Sequence, residues 1–347
     1  MSPNRRSARL SNLGEFQLIQ SIPRQLTTQG FRPTVGTGDD AAVFSPSPPQ
    51  HVVISTDLLV EDIHFTRKTA TLYDIGYKAA TANLSDIAAM GARPTGIFVA
   101  IALPPSTTQQ DWQEFYRGLA ASCQPHRVQL LGGDTSCSPT SLFIAITITG
   151  QVHPTHILTR RGAMIGDLIY VSGTLGDSAA GLAYLKKYTR PLKPSSLSKT
   201  MNYLVQRHLQ PTARIALGQL LASQPYASAA MDLSDGLSGD LQHLCRQSQV
   251  GALIARTKIP MSQQLLHYAN RIRTTPLHWS LHGGEDYELL FTVPLKWQQA
   301  LEKKSKRRKI PITQIGIIQP KRFGIRIENS EGTVDMLPSE GYEHFSH

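Results

Sequence analysis

Three cysteines in 347 residues, at positions 123, 137 and 245, are too few and too unevenly spaced for a disulfide framework or a zinc site. All three are expected to be reduced and structural. His153 and His156 have no third ligand nearby, so no transition-metal site is expected there. No apolar stretch approaches the roughly 20 residues that span a bilayer. The start carries Arg5, Arg6 and Arg9 without the apolar run of a secretory signal. A cytoplasmic protein with a loose basic tail over residues 1–13 is the expectation. There is no G-x-x-x-x-G-K-[ST] loop and no protein-kinase signature set, which argues against a P-loop NTPase or a protein-kinase fold.

Acidic residues are also scarce: 25 Asp and Glu stand against 35 Lys and Arg, a formal charge of +10. Lys303, Lys304, Lys306, Arg307, Arg308 and Lys309 supply six positive charges and the N-terminal arginines three, so the remaining body is close to neutral. Basic character in two patches favours solvated surface and makes a nucleic-acid partner unexpected. The alternative is an electrostatic foot on RNA or DNA, with steep salt dependence.

The acids that are present recur in four signatures: Gly38-Asp39-Asp40, Ser55-Thr56-Asp57, Gly132-Gly133-Asp134-Thr135 and Asp232-Leu233-Ser234-Asp235-Gly236. Any one of these composes a turn or a helix N-cap. As a set they suggest magnesium and phosphate. Two carboxylates about 4 Å apart repel by roughly 4 kcal/mol at an effective dielectric near 20, so converging aspartates need cations between them. Mg²⁺ favours carboxylate, carbonyl and water oxygens and bridges protein to nucleotide phosphates. Asp57 and Asp134 each follow an apolar run, at 51–54 and 128–131, and are expected to leave strand ends for one pocket. Gly173-Thr174-Leu175-Gly176 is a weak phosphate signal, so a nucleotide would be held by metals, by Arg160 or Arg161, and by Gly-rich backbone amides.

At this length two domains are expected, divided where periodicity lapses: 14–152 and 153–347. In the first, the spacing predicts a helix over 72–92, a strand over 95–103, a helix over 111–123, a strand over 128–131 ending at a Gly-Gly-Asp turn, and a strand over 142–150. Asn83 and Asp86 share a face of the first helix, and Asp86 near its end opposes the macrodipole. In the second, strands are predicted over 168–172, 229–233 and 287–293. Helices are predicted over 177–187, 201–208, 212–221 and 237–247, with one more between Pro260 and Gly283. Asp39 and Asp286 read as turn or capping residues.

The ordered motifs carry a resemblance. Gly38-Asp39-Asp40-Ala41-Ala42, Ser55-Thr56-Asp57, His64-Phe65, Tyr77-Lys78, Asn83-Leu84-Ser85-Asp86 and Gly132 to Thr135 are followed by Leu158-Thr159-Arg160, Asp232 to Leu237, Gly283 to Leu289 and Gly341-Tyr342. From about Gly14 to Phe345 the chain resembles the thiamine-monophosphate kinase family, within the superfamily of aminoimidazole ribonucleotide synthetase and selenophosphate synthetase. The resemblance implies a two-domain α+β fold. An N-terminal four-stranded sheet would pair across a homodimer into a barrel, followed by a C-terminal α+β domain. It implies transfer of the ATP γ-phosphoryl to thiamine monophosphate. By motif matching, Asp40, Ser55, Thr56, Asp57, Asp86, Asp134, Asp232 and Asp235 would hold several Mg²⁺. Gly133, Asp134, Arg160 and Ser234 would contact ATP, and His64, Glu285 and Tyr342 the thiamine substrate. Asp62 stands where the family typically has glycine, and Arg161 where it has serine. Another ATP-dependent superfamily activity, such as aminoimidazole ribonucleotide synthesis, remains an alternative, as does a non-catalytic nucleotide sensor or nucleic-acid binder. Selenophosphate synthesis is disfavoured, because no Cys precedes the Gly-Asp-Asp motif.

Overall fold

The computed structural model describes residues 42–47 and 49–338. The first sheet has five strands in the order β1-β2-β5-β3-β4: β1 Ala42–Ser47, β2 Gln50–Val60, β3 Arg93–Leu103, β4 Gln129–Cys137 and β5 Phe143–Val152. All neighbours are antiparallel except β3 and β4, which need a crossover because they run parallel. That is one strand more than the resemblance implies, and β1 pairs antiparallel with β2 at the edge.

One face of this sheet is closed by helices α1 (Leu72–Ala89) and α2 (Gln109–Cys123). Each starts on a threonine capping box, Thr71 with Asp74 and Thr108 with Asp111, which satisfies otherwise orphaned amides. The two helices cross with their backbones nearly touching. A Cβ on Gly76 would lie 2.1 Å from the Phe115 carbonyl oxygen, and one on Gly118 1.8 Å from that of Tyr73, so only glycine fits at either crossing point.

The second sheet has seven strands in the order β12-β11-β8-β10-β6-β9-β7. These are β6 Leu168–Ser172, β7 Ala229–Leu233, β8 Val250–Ala255, β9 Glu288–Val293, β10 Ile312–Pro320, β11 Ile325–Glu328 and β12 Val334–Met336. Its helices are α3 Asp177–Leu185, α4 Lys199–Leu209, α5 Ile215–Ala222, α6 Leu237–Ser248, α7 Gln263–Arg271, α8 Pro276–His282 and α9 Gln298–Arg307. α1 also serves this half: a Cβ on Gly218 of α5 would lie 2.0 Å from the Ala88 carbonyl oxygen. One apolar core therefore runs from Ile144 and Ile146 of β5, through Ile75 and Ile87 of α1, to Leu217, Leu220 and Phe291. Burying each such side chain contributes about 1.5–3 kcal/mol.

Strands β6 and β7 fall where the sequence predicts them. Several features differ. Gly132-Gly133-Asp134 is not a turn but the middle of β4, and Asp57 also lies within a strand, because β2 and β4 continue past their apolar starts into polar residues. The single helix expected before Gly283 is two, α7 and α8, divided by Thr274 and Thr275 ahead of Pro276. Cys123 and Cys245 are buried, and burial pushes both thiols up to about 12. Cys137 is exposed at the end of edge strand β4, so it is not a core residue. Among the described residues no helix is long and apolar enough to cross a membrane.

Candidate active site

Strand alternation sorts the Ser55-Thr56-Asp57 triplet. Ser55 is buried toward the helices, Asp57 is half-buried on the same side, and Thr56 is exposed on the other face, where its hydroxyl pairs with that of Thr147. The Ser55 hydroxyl donates to Asp86, in the last turn of α1. One residue earlier, the buried Ser85 donates to Asp232 Oδ2 at 2.7 Å, at the far end of β7. A single turn of α1 therefore binds an acidic strand from each sheet. Asn83, on the same helix, is fully buried and its amide nitrogen bonds the Ala79 carbonyl at 3.1 Å.

Two loops of the second sheet close on each other. Gly236, at φ +107°, turns the Asp232 strand end into α6, which only glycine does without strain. The Gly283-Gly284-Glu285-Asp286 segment lies against it: Glu285 N–H donates to the Ser234 carbonyl at 2.7 Å and Tyr287 N–H to the Leu233 carbonyl at 2.9 Å. Glu285 and Tyr287 both adopt positive φ, at +64° and +52°, a strained state that surrounding contacts must enforce. Asp286 supplies one such contact. Its carboxylate accepts from Gly176 N at 2.6 Å and Ser178 N at 3.1 Å, so it caps α3 from across the chain. Burial pushes Asp286 up to about 7, although Arg207 and the two amides pull the other way.

Negative charge gathers at this seam. The buried Tyr287 hydroxyl is driven well above its ordinary value by burial and then by the charges of Glu285, Asp57, Asp232 and Asp235. Burial, then Asp235 and Asp232, push Asp240 well above the usual carboxylate range, opposed by Arg160. The charge of Asp57, from the first sheet, thus acts on the same tyrosine as three carboxylates from the second. Glu285 is itself held by Lys78 of α1, whose Nζ donates to both carboxylate oxygens at 3.0 Å.

Two of the other expected residues lie across the first sheet from β2. Gly133 and Asp134 lie exposed on β4, with β5 and β3 between them and β2, roughly 14 Å from Leu58 across three strand spacings. Gly133 is where β4 presses onto β3, since a Cβ there would lie 1.9 Å from the Val99 carbonyl oxygen. His64 lies just after β2 and accepts the Val60 N–H at Nδ1, 3.0 Å, which places its neutral proton on Nε2. The Arg160 carbonyl is held by Ser248 at 2.8 Å. Asp40 and Tyr342 lie outside the described residues.

Among the described residues no group of three or more His, Cys, Asp or Glu side chains is placed to hold a metal ion by itself. The donors present are carboxylates and hydroxyls, the hard oxygen set that suits Mg²⁺, which completes its octahedron with water and substrate phosphates in place of an all-protein cage. In donor chemistry the residues fit that ion. Lys78 stands in the Tyr77-Lys78 motif of the resemblance without a role, and His208 carries no sequence signal; in the structure both are buried, Lys78 at 4% exposure.

This two-sheet arrangement defines a class that the comparisons identify. The models described as AIR synthase related protein, N-terminal domain, and AIR synthase related protein, C-terminal domain, match residues 38–152 and 165–328. The thiamine-monophosphate kinase of Haemophilus influenzae is 39% identical over 336 residues, covering 96% of this chain and 98% of that protein. A solved structure described as AaThiL complexed with AMPPCP and TMP has a TM-score of 0.83 at 33% identity, covering 97% of this chain and 99% of that one. The thiamine monophosphate kinase of Aquifex aeolicus matches with a TM-score of 0.79 at 32% identity, covering 95% of this chain and 100% of that one. The chain belongs to the thiamine-monophosphate kinase family, a family of phosphotransferases, within the AIR synthase-related proteins.

Proposed function

We propose that this chain uses ATP to phosphorylate thiamine monophosphate, giving thiamine diphosphate and ADP by direct in-line transfer with several Mg²⁺ present. The observation that carries the reading is that α1 ties acidic residues of both sheets together: Asp86 accepts from Ser55 of β2, Ser85 donates to Asp232 of β7, and Lys78 holds Glu285. A structural relative is described with an ATP analogue, AMPPCP, and TMP bound together, which supports the same pair of ligands here.

The substrate's phosphate oxygen is already anionic near neutral pH, so no strong general base is required. That oxygen forms a bond to the γ-phosphorus as the bond from the γ-phosphorus to the β–γ bridging oxygen breaks, and ADP leaves. Bound Mg²⁺ supplies the charge neutralisation that lets two phosphate groups approach. We assign Asp40, Ser55, Thr56, Asp57, Asp86, Asp134, Asp232 and Asp235 to hold it, and Gly133, Asp134, Arg160 and Ser234 to orient ATP. Glu285 attracts the cationic heterocycle, Tyr342 adds cation-π attraction, and His64 presents an N–H donor to the substrate.

A homodimer in the cytoplasm belongs to the same reading. Its support is the face of the first sheet turned away from α1 and α2, which no described helix covers and which exposes Leu58 at 56%, Leu131 at 55%, Phe98 at 39% and Phe143 at 38%. The functional test is ADP formation with thiamine monophosphate, thiamine and the aminoimidazole-pathway substrate in parallel, products identified by mass. Thiamine diphosphate from the monophosphate alone is expected, and silence with that acceptor would contradict the proposal.

A further inference from the structure

We propose that Lys78 is a positioning residue for the thiamine substrate: from α1 it clamps the Glu285 carboxylate across the seam between the two sheets, and so sets where the substrate's cationic ring is received. The inference rests on the reading of Glu285 as the substrate carboxylate.

Lys78 and Glu285 are 207 residues apart in sequence. The lysine side chain is 5% exposed and the glutamate 28%, so the ammonium is enclosed while the carboxylate keeps an open side. Both carboxylate oxygens lie 3.0 Å from Nζ, which fixes the orientation of the group as well as its charge. His208 of α4 closes the cluster. Its Nε2 lies 3.3 Å from Lys78 Nζ and its Nδ1 3.1 Å from Ser178 Oγ and 3.4 Å from Glu285 Oε2. Burial and then the charge of Lys78 hold this imidazole well below its ordinary value, so it sits neutral and Lys78 is the cation facing Glu285.

The neighbouring side chain is pinned to a different element, Asp286 to the first turn of α3. Adjacent acids pinned to different elements explain why the loop between Gly284 and Glu288 tolerates positive φ at Glu285 and Tyr287. Without Lys78 the Glu285 carboxylate would lose the two hydrogen bonds that fix its orientation at the seam. A buried ammonium is costly to keep unless its partner stays in place, so the clamp works in both directions.

The test is steady-state kinetics of Lys78→Met, Lys78→Arg, Glu285→Gln and the double variant Lys78→Met/Glu285→Gln. Lys78→Met is expected to raise KM for thiamine monophosphate about tenfold or more while KM for ATP stays within about twofold, a split that general loss of structure would not produce. Lys78→Arg, which keeps the charge and alters its geometry, should raise the same KM less, and it carries the comparison if Lys78→Met does not fold. The double variant should bind substrate no worse than Glu285→Gln alone. If Glu285→Gln raises KM for thiamine monophosphate and neither Lys78 variant does, the clamp is overturned. If wild type ignores thiamine monophosphate, or Glu285→Gln leaves KM unchanged, the substrate reading fails instead. The clamp is then judged by melting temperatures, where non-additive effects of the two substitutions support it and additive effects overturn it.

Discussion

The chain twice writes two glycines followed by an acid, and folds the two copies differently. Gly132-Gly133-Asp134 is extended, exposed and three strand spacings from β2. Gly283-Gly284-Glu285 is an irregular loop whose following side chains are pinned from α1 and α3. Gly132 has ordinary room, with Phe98 at 3.4 Å from an added Cβ, whereas Gly284 is pressed to 2.5 Å from the Ser234 carbonyl oxygen. On the proposed reading, the Glu285 half of the site is held by hydrogen bonds within the chain, whereas Asp134 lies exposed on the first sheet with no such support among the described residues.

Removing the exposed Asp134 carboxylate should have the largest effect on activity and the smallest on folding. Asp134→Asn is expected to lower kcat by at least about 100-fold with an unchanged melting temperature. Near-normal turnover would remove Asp134 from the site. The Glu285 half should show the reverse. Glu288, fully buried at the start of β9, accepts from Arg207 at 2.9 Å, from Arg214 Nε at 2.6 Å and from Ser172. Burial opposes its ionisation, yet Arg214 and then Arg207 outweigh it and hold the carboxyl below its ordinary value. Glu288→Ala would strand two arginines, costing about 3–5 kcal/mol in urea unfolding. A loss under about 1 kcal/mol would mean that this network is not what supports the loop.

Asp286 offers a pH-dependent probe of the same half. Its folded pKa of about 7 lies above its ordinary 3.8, so the folded chain binds the proton more tightly than the unfolded one. The associated stability is fully present below pH 4 and is lost as pH rises through 7, on the order of 4 kcal/mol in all. Asp286→Asn should flatten the stability profile between pH 4 and 8; a profile parallel to wild type would show that this carboxyl is not the titrating group. The mildest contrast is between the glycines. Gly284→Ala should cost about 1–3 kcal/mol by breaking the Glu285 N–H to Ser234 contact, and Gly132→Ala less than about 0.5. Equal costs would erase the distinction between the two motifs.

What was legible in the sequence follows the same division. β6 and β7 are short apolar runs bounded by turn residues, and their ends were readable. Asp286 as a cap was readable from its residue type, though its partners Gly176 and Ser178 were not. The strand course of Gly132-Gly133 was hidden, because two glycines read locally as a turn and only pairing with Val99 and Phe98 extends them. Strands β8, β10, β11 and β12 were missed, since short Gly- and Gln-broken runs carry little periodicity and gain their place from neighbours distant in sequence. Lys78 and His208 were invisible as a pair for the same reason, being 130 residues apart.

The central claim is direct transfer of one phosphoryl group to thiamine monophosphate at a site shared by both sheets. Its most direct test uses ATP made chiral at the γ-phosphorus with oxygen isotopes, followed to the terminal phosphate of thiamine diphosphate. The account predicts inversion of configuration, the mark of a single in-line displacement. Retention would require a phosphorylated intermediate on the protein and would contradict it.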